Sequence, residues 1–353
     1  MNYSPLLLSA MMTLSSMAIQ AITPDSLLQQ KMQAEETTFL ANMKPGLQYT
    51  QMMAVRKAIK GDDTDLQQIR QSRNIPPTLP ENVSTHYPTP DLCVFTPKKP
   101  TNRKRPVLLY LHGGGWCFGS INSCARFCAA VALEADCIVV ALNYRLAPAF
   151  PYPAPLQDCQ QAVQYIRDHA QEWGGDPSLI SVGGDSAGGN LALSTAMSVK
   201  GISKVIPIYP VTKLFTEQTT SWKKYAKGYG NDAELLEAFN EAYANHQEND
   251  PLVSVGLCSD EVLKALPPAL FISAGHDILF DQTTELVNRM QSLGHPVTYH
   301  IYPTATHLFI TVPGQSTAFL EAVKTVSQFI NSKRQIREDA TRQGRTAVLD
   351  AVL

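Results

Sequence analysis

The chain has 353 residues, 44% of them apolar, which is enough for one large α/β domain with a sub-domain or for two small domains. Its 29 Lys and Arg residues nearly balance its 31 Asp and Glu residues, which argues against nucleic acid or another polyanion as the main partner. Seven cysteines, an odd number in a chain too large to need disulfides, favour a reducing compartment and hence a cytoplasmic location. Cys117, Cys124 and Cys128 match no common zinc spacing, so no metal site is predicted.

The N-terminal residues allow two interpretations. The stretch 6–19 is apolar and Met-rich like the core of a signal peptide, but no Lys or Arg precedes it and several Ser and Thr residues dilute it. It is too short and too polar for a transmembrane helix, so no stable membrane span is expected. We therefore predict a signal-like or disordered start over residues 1–22, with secretion as the alternative to the cytoplasm.

Further along the chain, residues 24–70 have a helical pattern, with Asp25 or Thr23 as the cap, and prolines interrupt residues 76–90. Strand and helix patterns then alternate. The predicted strands are 92–95, 107–111, 138–142, 179–182, 205–208, 269–273 and 297–302. The predicted helices between and after them are 125–135, 156–169, 190–200, 281–293 and 316–332. This alternation predicts a mostly parallel sheet flanked by helices, with a ligand site at the carboxyl ends of the strands. Residues 211–265 interrupt it with polar, helix-like sequence, and a loose polar tail is expected after Lys333.

The predicted strand 179–182 leads into the most informative motif, Gly184-Asp185-Ser186-Ala187-Gly188. A serine between small residues, at a turn from strand to helix, is typical of a nucleophile elbow. The five residues alone occur by chance in about one chain in ten of this length, so a glycine-rich turn is the alternative. A second motif, His112-Gly113-Gly114-Gly115, ends another predicted strand and is much rarer by chance. Such glycines let backbone N–H groups approach a developing oxyanion, so the two motifs together predict a serine hydrolase.

A nucleophilic serine needs a histidine to take its proton and a carboxylate to orient that histidine, in the chain order serine, acid, histidine. Asp277 and His307 follow the ends of two later predicted strands and satisfy that order. Asp281 is a rival, but it opens a predicted helix and has an ordinary role there as a capping charge. His276, beside Asp277, is expected to point away from the site. The other histidines lie inside strands, at helix ends or outside the core alternation.

Three neighbours of these motifs have supporting roles. His112 is expected to brace the glycine loop by hydrogen bonds, and Asp185 to hold either the elbow or that loop. For Trp116 two roles remain open: it lines the pocket, or it packs behind the glycine loop.

These residues together resemble the hormone-sensitive-lipase-like carboxylesterases of the α/β-hydrolase superfamily, from about Pro106 to Ile330. The matching motifs, in chain order, are His112-Gly113-Gly114-Gly115-Trp116, Asn143-Tyr144-Arg145-Leu146-Ala147-Pro148, Trp173-Gly174-Gly175-Asp176-Pro177, Gly184-Asp185-Ser186-Ala187-Gly188-Gly189-Asn190, Ala274-Gly275-His276-Asp277 and His307. Two positions depart from the family pattern. Ala149 stands where a Glu is common, and Ile278-Leu279-Phe280-Asp281 is a more apolar version of Pro-Leu-Arg-Asp.

The resemblance implies an α/β-hydrolase fold with a helical cap and a catalytic triad of Ser186, Asp277 and His307. It implies an oxyanion hole formed by the N–H groups of Gly114, Gly115 and Ala187, with Gly113 shaping the loop. No cofactor is expected. The implied domains are an N-terminal cap part (23–85), a catalytic core (86–210 and 255–332), an inserted cap segment (211–254) and a tail (333–353).

The expected activity is hydrolysis of short- to medium-chain carboxylic esters through an acyl-enzyme. Acyl transfer or amide hydrolysis on the same triad, and a non-catalytic small-molecule receptor, are the alternatives. The expected partner is a small-molecule ester, and the protein is expected to be a monomer or a homodimer.

Overall fold

The structure, a computed structural model, describes residues 21–332. It is built around a nine-stranded sheet with the order β1-β9-β8-β7-β6-β4-β5-β3-β2. The outermost strands β2 and β3 are antiparallel to their neighbours, and all other pairs are parallel. The strands are β1 (Ala21–Ile22), β2 (Val83–Thr89), β3 (Leu92–Pro97), β4 (Arg105–Leu111), β5 (Ile138–Leu142), β6 (Gly175–Asp185), β7 (Lys204–Ile208), β8 (Ala269–His276) and β9 (Val297–Thr306).

Helices connect the parallel strands and cover both faces of the sheet, which produces one apolar cluster on each face. Strands β4 and β5 are buried at every position, as expected of parallel strands with helices on both sides. The helices of this layer are α4 (Ile121–Ala135), α5 (Ala154–His169), α6 (Ala187–Ser198), α9 (Asp260–Ala265), α10 (Phe280–Ser292) and α11 (316–332). All seven cysteines are buried and carry free thiols.

Three helices lie between β1 and β2 in the chain: α1 (Ser26–Ala41), α2 (Leu47–Ile59) and α3 (Thr64–Arg73). Asp25 caps α1, because its carboxylate accepts a hydrogen bond from the N–H of Leu28 at 2.9 Å, so Asp25 rather than Thr23 is the cap. The predicted helical stretch 24–70 is therefore three helices, and Gly46, in the left-handed region at φ 75°, stands immediately before α2.

Two further helices, α7 (Thr220–Lys224) and α8 (Ala233–Ala244), lie in the stretch that interrupts the alternation. Helix α8 packs against α2: the amide of Gln48 donates to the carbonyl of Gly230 at 2.9 Å, and Arg56 lies 3.7 Å from Glu237. The N-terminal helices and this inserted segment therefore form one layer over the carboxyl ends of the strands. The division into cap and core stays a prediction, and its outermost parts, 1–20 and 333–353, lie outside the described residues.

The structure corrects some details of the sequence interpretation. Strand β2 was not predicted, because the prolines at 76–90 obscure it; it pairs only with β3 and places Val83–Thr89 within the sheet. The predicted core boundary at residue 86 therefore falls inside a strand. Asp281, by contrast, lies in the first turn of α10, as expected of a capping charge, although the N-cap position itself is Leu279; its carboxylate accepts from the N–H of Ser221 at 2.8 Å.

Candidate active site

Ser186 stands between β6 and α6 in a backbone conformation that few non-glycine residues adopt, with φ 56° and ψ −119°. Two glycines make this turn possible. A Cβ on Gly184 or on Gly188 would overlap the carbonyl oxygen of Leu111 on the neighbouring strand β4. The N–H of Ser186 donates to the carbonyl of Ile208 at 2.9 Å, which continues the pairing of β6 with β7. The sharp turn is therefore built into the sheet and places the hydroxyl at its carboxyl edge.

His307 and Asp277 meet this hydroxyl from the ends of two other strands. The Oγ of Ser186 lies 2.8 Å from Nε2 of His307, and Nδ1 of His307 lies 2.7 Å from Oδ2 of Asp277. Because an ionised carboxylate only accepts hydrogen bonds, Nδ1 carries the proton, which leaves Nε2 to accept from the serine. The other oxygen of Asp277 accepts from the N–H of Leu279 at 2.9 Å, so the carboxylate is held in place.

These three groups are shielded from water, because Ser186, Asp277 and His307 are 7%, 2% and 3% exposed. The residue before His307 is fixed by a pair of side-chain contacts: Gln315 accepts from the N–H of Thr306 at 2.9 Å and donates to its hydroxyl at 2.7 Å. The structure thus brings together the three side chains that the sequence analysis selected, although 91 and 30 residues separate them in the chain. Their catalytic roles stay a prediction.

The glycine loop after β4 faces Ser186 and turns through two left-handed residues, Gly114 at φ 119° and Gly115 at φ 60°. A Cβ on Gly115 would overlap the ring of Phe239 in α8, and a Cβ on Gly113 would overlap the carboxylate of Asp185. Within residues 21–332 the N–H groups of Gly114 and Gly115 have no hydrogen-bond acceptor. The N–H of Ala187, the first residue of α6, has none inside its helix.

Asp185 and His112 hold this loop. The carboxylate of Asp185 accepts from the N–H of Gly113 at 3.1 Å and from the hydroxyl of Tyr110 at 3.0 Å, so it supports the glycine loop as well as the elbow. Burial raises the pKa of Asp185 to about 6. His112 donates from Nδ1 to the carbonyl of Gly113 at 2.9 Å and stacks on Tyr144, and burial lowers its pKa to about 4. His112 is therefore neutral at pH 7 and braces the loop.

Trp116 packs behind the glycine loop and does not line the cavity. Its side chain is fully buried and lies parallel to the ring of Tyr243 in α8, with 4.1 Å between the ring centres. This contact decides between the two roles that the sequence left open.

A cavity of about 470 Å³ opens onto Ser186, a volume in the range of small-molecule sites. Its floor is formed by the elbow, His307 and the glycine loop, and its walls come from distant segments that the motif analysis did not identify. Apolar side chains dominate those walls; examples are Phe39, Leu47, Leu235, Leu236 and Phe239. The sequence offered no signal for them beyond a general apolar character, because apolar residues of helices more often pack in a core than line a cavity.

Across the described part of the chain, no cluster of three His, Cys, Asp or Glu side chains could hold a metal ion. Likewise, no helix there has both the length and the apolar character needed to cross a bilayer. The chemistry available at the site is that of a serine, an imidazole, a carboxylate and unoccupied backbone amides. This set of groups and the sheet that carries it define a hydrolase with a serine nucleophile.

Comparison with known proteins agrees with that class. A family model described as the alpha/beta hydrolase fold matches residues 108–311. The chain is 33% identical to Esterase LipI of Mycobacterium tuberculosis over 235 residues, which are 65% of this chain and 73% of the relative. It is 32% identical to Lipase 2 of a Moraxella species over 58% of this chain and 55% of the relative, so it matches about half of that protein.

Among solved structures, a fungal esterase from Rhizomucor miehei superimposes with a TM-score of 0.72 at 25% identity, covering 83% of this chain and 97% of that chain. The chain therefore belongs to the hormone-sensitive-lipase-like carboxylesterase family of α/β-hydrolases, and it is a carboxylic ester hydrolase.

Proposed function

We propose that this protein hydrolyses short- to medium-chain carboxylic esters, with Ser186 as nucleophile, His307 as general base and acid, and Asp277 as the group that orients the histidine. The observation that supports this most strongly is the unbroken hydrogen-bond chain from Asp277 through His307 to Ser186 at the floor of an apolar cavity. Each member of the chain has the partner that its role requires.

In the first half of the reaction the serine hydroxyl attacks the ester carbonyl while Nε2 of His307 takes its proton. The carboxylate of Asp277 stabilises the resulting imidazolium through Nδ1. Negative charge that develops on the carbonyl oxygen is accepted by the N–H groups of Gly114, Gly115 and Ala187, and each such donor contributes about 3–4 kcal/mol to transition-state stabilisation. His307 then protonates the leaving alcohol, and water releases the acid from the acyl-enzyme by the same steps.

The cavity supports the expected range of acyl lengths. Its apolar wall on α8, at Leu235, Leu236 and Phe239, faces the catalytic serine across a bounded volume of about 470 Å³. Kinetics on a series of p-nitrophenyl esters from acetate to palmitate measure the preferred acyl length directly. We expect kcat/KM to be highest at short or medium length and to fall for the longest chains.

The test of the mechanism is the change Ser186→Ala, assayed on p-nitrophenyl butyrate and with a fluorophosphonate probe. We expect kcat to fall by about 10⁶-fold and probe labelling to disappear, because the nucleophile is gone. Ser198→Ala is the matched control, since Ser198 is exposed at the other end of the same helix, where its hydroxyl contacts carbonyls of that helix and the amide of Gln160. Undiminished hydrolysis by the Ser186→Ala enzyme would remove Ser186 from its role.

Acyl transfer and amide hydrolysis use the same groups and stay the alternatives to ester hydrolysis. Product analysis with an added alcohol or amine separates them, because a transferase forms the new ester or amide in preference to the free acid. The cytoplasmic location and the monomeric or homodimeric state stay predictions.

A further inference from the structure

Two cations lie on the wall of the catalytic cavity without an acidic partner. Arg73 ends α3, Lys44 lies in the connection between α1 and α2, and both side chains line the cavity. Within the part of the chain that the structure describes, neither makes an ion pair with a carboxylate. A cation on the wall of a largely apolar cavity is a recognition feature when nothing in the protein neutralises it.

Several neighbouring cations of α2 and α3 do have partners. Arg56 lies between Glu237 and Glu241, and Lys57 is 2.6 Å from Asp65. Arg70, one turn before Arg73, donates to two backbone carbonyls. The free state of Arg73 is therefore not a general property of this helical layer.

The one carboxylate among the cavity-lining residues does not neutralise these cations. Asp185 lies behind Gly113, and its Oδ1 accepts hydrogen bonds from Gly113 and Tyr110. Its role is to support the glycine loop. The cavity thus presents two positive side chains near its apolar walls and no negative side chain that reaches them.

The contacts of Arg73 leave its donors available to a carboxylate. Its guanidinium carbon lies 5.2 Å from the centre of the Phe118 ring, and Phe118 itself packs edge-on against Phe239 at 5.8 Å. Within the described residues, the side-chain N–H groups of Arg73 have no hydrogen-bond acceptor. Those N–H groups match the two oxygens of a carboxylate.

We propose that the cavity selects esters that carry a carboxylate, which Arg73 binds at its edge while Lys44 adds to the positive potential. This inference rests on the proposed ester hydrolysis, because it names the substrate class of that same site. A monoester of a dicarboxylic acid has the required chemistry: one carboxyl group forms the ester that Ser186 attacks, and the other remains as the anion.

The test compares two esters of equal acyl length, p-nitrophenyl pentanoate and mono-p-nitrophenyl glutarate, which differ by one negative charge. The Ser186→Ala enzyme supplies the background rate for each ester. We expect Arg73→Gln to lower the ratio of kcat/KM for the anionic ester to that for the neutral ester by about tenfold. Arg73→Lys is expected to retain part of the ratio, because it keeps the charge but loses the planar pair of donors.

Arg126→Gln is the matched control. Arg126 also lies on a helix with its guanidinium over a phenylalanine ring, 5.5 Å from the centre of Phe319, but it lines a separate cavity of about 210 Å³. The substitution Arg126→Gln removes the same net charge as Arg73→Gln. If it leaves the ratio of kcat/KM for the two esters unchanged, a general electrostatic effect is excluded. In the wild-type enzyme the ratio is also expected to fall between 50 and 500 mM salt, which screens exposed charges, and to change less in Arg73→Gln.

An equal loss of activity on both esters in Arg73→Gln would overturn the inference, since Arg73 would then act only by packing on Phe118. The inference would also be overturned if salt did not change the ratio in the wild-type enzyme and both Arg73 variants had the same ratio as the wild type. Failure of the proposed function looks different: the wild-type enzyme would hydrolyse neither ester faster than the Ser186→Ala enzyme does.

Discussion

The carboxyl edge of the sheet and the helical layer over it are built in different ways. At the sheet edge, Ser186, Asp277 and His307 are nearly inaccessible to water, and strand pairing and short hydrogen bonds set their positions. In the helical layer, Leu47 and Tyr49 of α2 are 43% and 60% exposed. The reacting groups therefore depend on the register of buried strands, whereas the walls of the cavity depend on packing between distant segments of the chain.

Polar contacts supplement the apolar packing between the two regions. Arg70 donates to the carbonyls of Cys117 and Ala147 at 2.8 and 2.7 Å, which ties α3 to the loops after β4 and β5. Glu36 of α1, although buried, reaches His276 at 2.5 Å, and His276 is the chain neighbour of Asp277. The two regions are therefore linked at positions adjacent to the proposed chemistry, and substitutions can separate their contributions.

After the loss of the serine itself, the largest effect is expected at the sheet edge, from Asp277→Asn. An asparagine in this place either donates to Nδ1 or leaves it poorly oriented, so the histidine is held in the wrong tautomer and kcat falls by about 10⁴-fold. Steady-state kinetics on p-nitrophenyl butyrate measure this. Asp281→Asn is the control, because Asp281 contacts Ser221 and not His307, and less than a tenfold change is expected. A similar, small effect of both variants would contradict the role of Asp277.

The next effect is expected where the two regions touch, from Gly115→Ala. The new Cβ would overlap the ring of Phe239, so the loop has to shift and its amide donor moves away from the oxyanion; we expect kcat to fall by about 10²–10³-fold. Gly174→Ala is a matched control, since Gly174 has a similar φ of 79° but open space around it. It shares the backbone strain without the clash, so normal kcat is expected. Equal losses of kcat would assign the effect to strain alone.

A smaller effect is expected from the link between the regions, in Arg70→Met. Two charged hydrogen bonds to carbonyl groups are lost, and we expect the free energy of unfolding to fall by about 2 kcal/mol, seen as a lower midpoint of thermal unfolding. Arg56→Gln removes only exposed ion pairs of 3.7 and 3.9 Å and is expected to change stability by less than about 0.5 kcal/mol. Indistinguishable midpoints for the two variants would refute a holding role for Arg70.

The smallest effect is a pH dependence at the sheet edge. Burial raises the pKa of Asp185 from 3.8 to about 6, so the folded protein holds this proton more tightly than the unfolded chain does. Stability therefore falls as pH rises from about 4 to about 6 and stays lower above that range. Asp185→Asn removes this dependence. The free energy of unfolding of Asp185→Asn minus that of the wild type is therefore expected to grow by about 1 kcal/mol from pH 5 to pH 8, because only the wild type loses stability over this range.

Urea unfolding of both proteins across that pH range measures the difference. A difference that stays constant from pH 5 to pH 8 would show that Asp185 titrates alike in the folded and unfolded protein. Asp136→Asn is the control, because Asp136 forms its ion pair with Arg105 away from the site, at the start of β4.

Local sequence determined the elements that a short stretch of chain can encode. The alternation of apolar strands and helices predicted the parallel sheet, and small residues on both sides of Ser186 predicted the turn, because only glycine fits beside the carbonyl of Leu111. Chain order and position after the ends of predicted strands selected Asp277 and His307 from among their rivals. Family membership was also accessible, since its motifs are contiguous in sequence.

The sequence was less informative where distant segments meet. Strand β2 was missed because its one described partner is β3, and Pro88 together with the prolines around the strand looks like a loop when that partner is not known. Trp116 had two possible roles until its ring was seen against Tyr243, which is 127 residues away in the chain.

By itself, then, the sequence determined the fold class, the enzyme family and the choice of the three candidate side chains, because strand periodicity, tight turns and motif order are properties of short segments. Only the tertiary structure decided how near those side chains lie, which side chains form the cavity, and that Arg73 and Lys44 line it without an acidic partner. The physical reason is that burial and charge pairing arise between residues from α1, α2, α3 and α8, and no periodicity within a single segment records which of them will face each other.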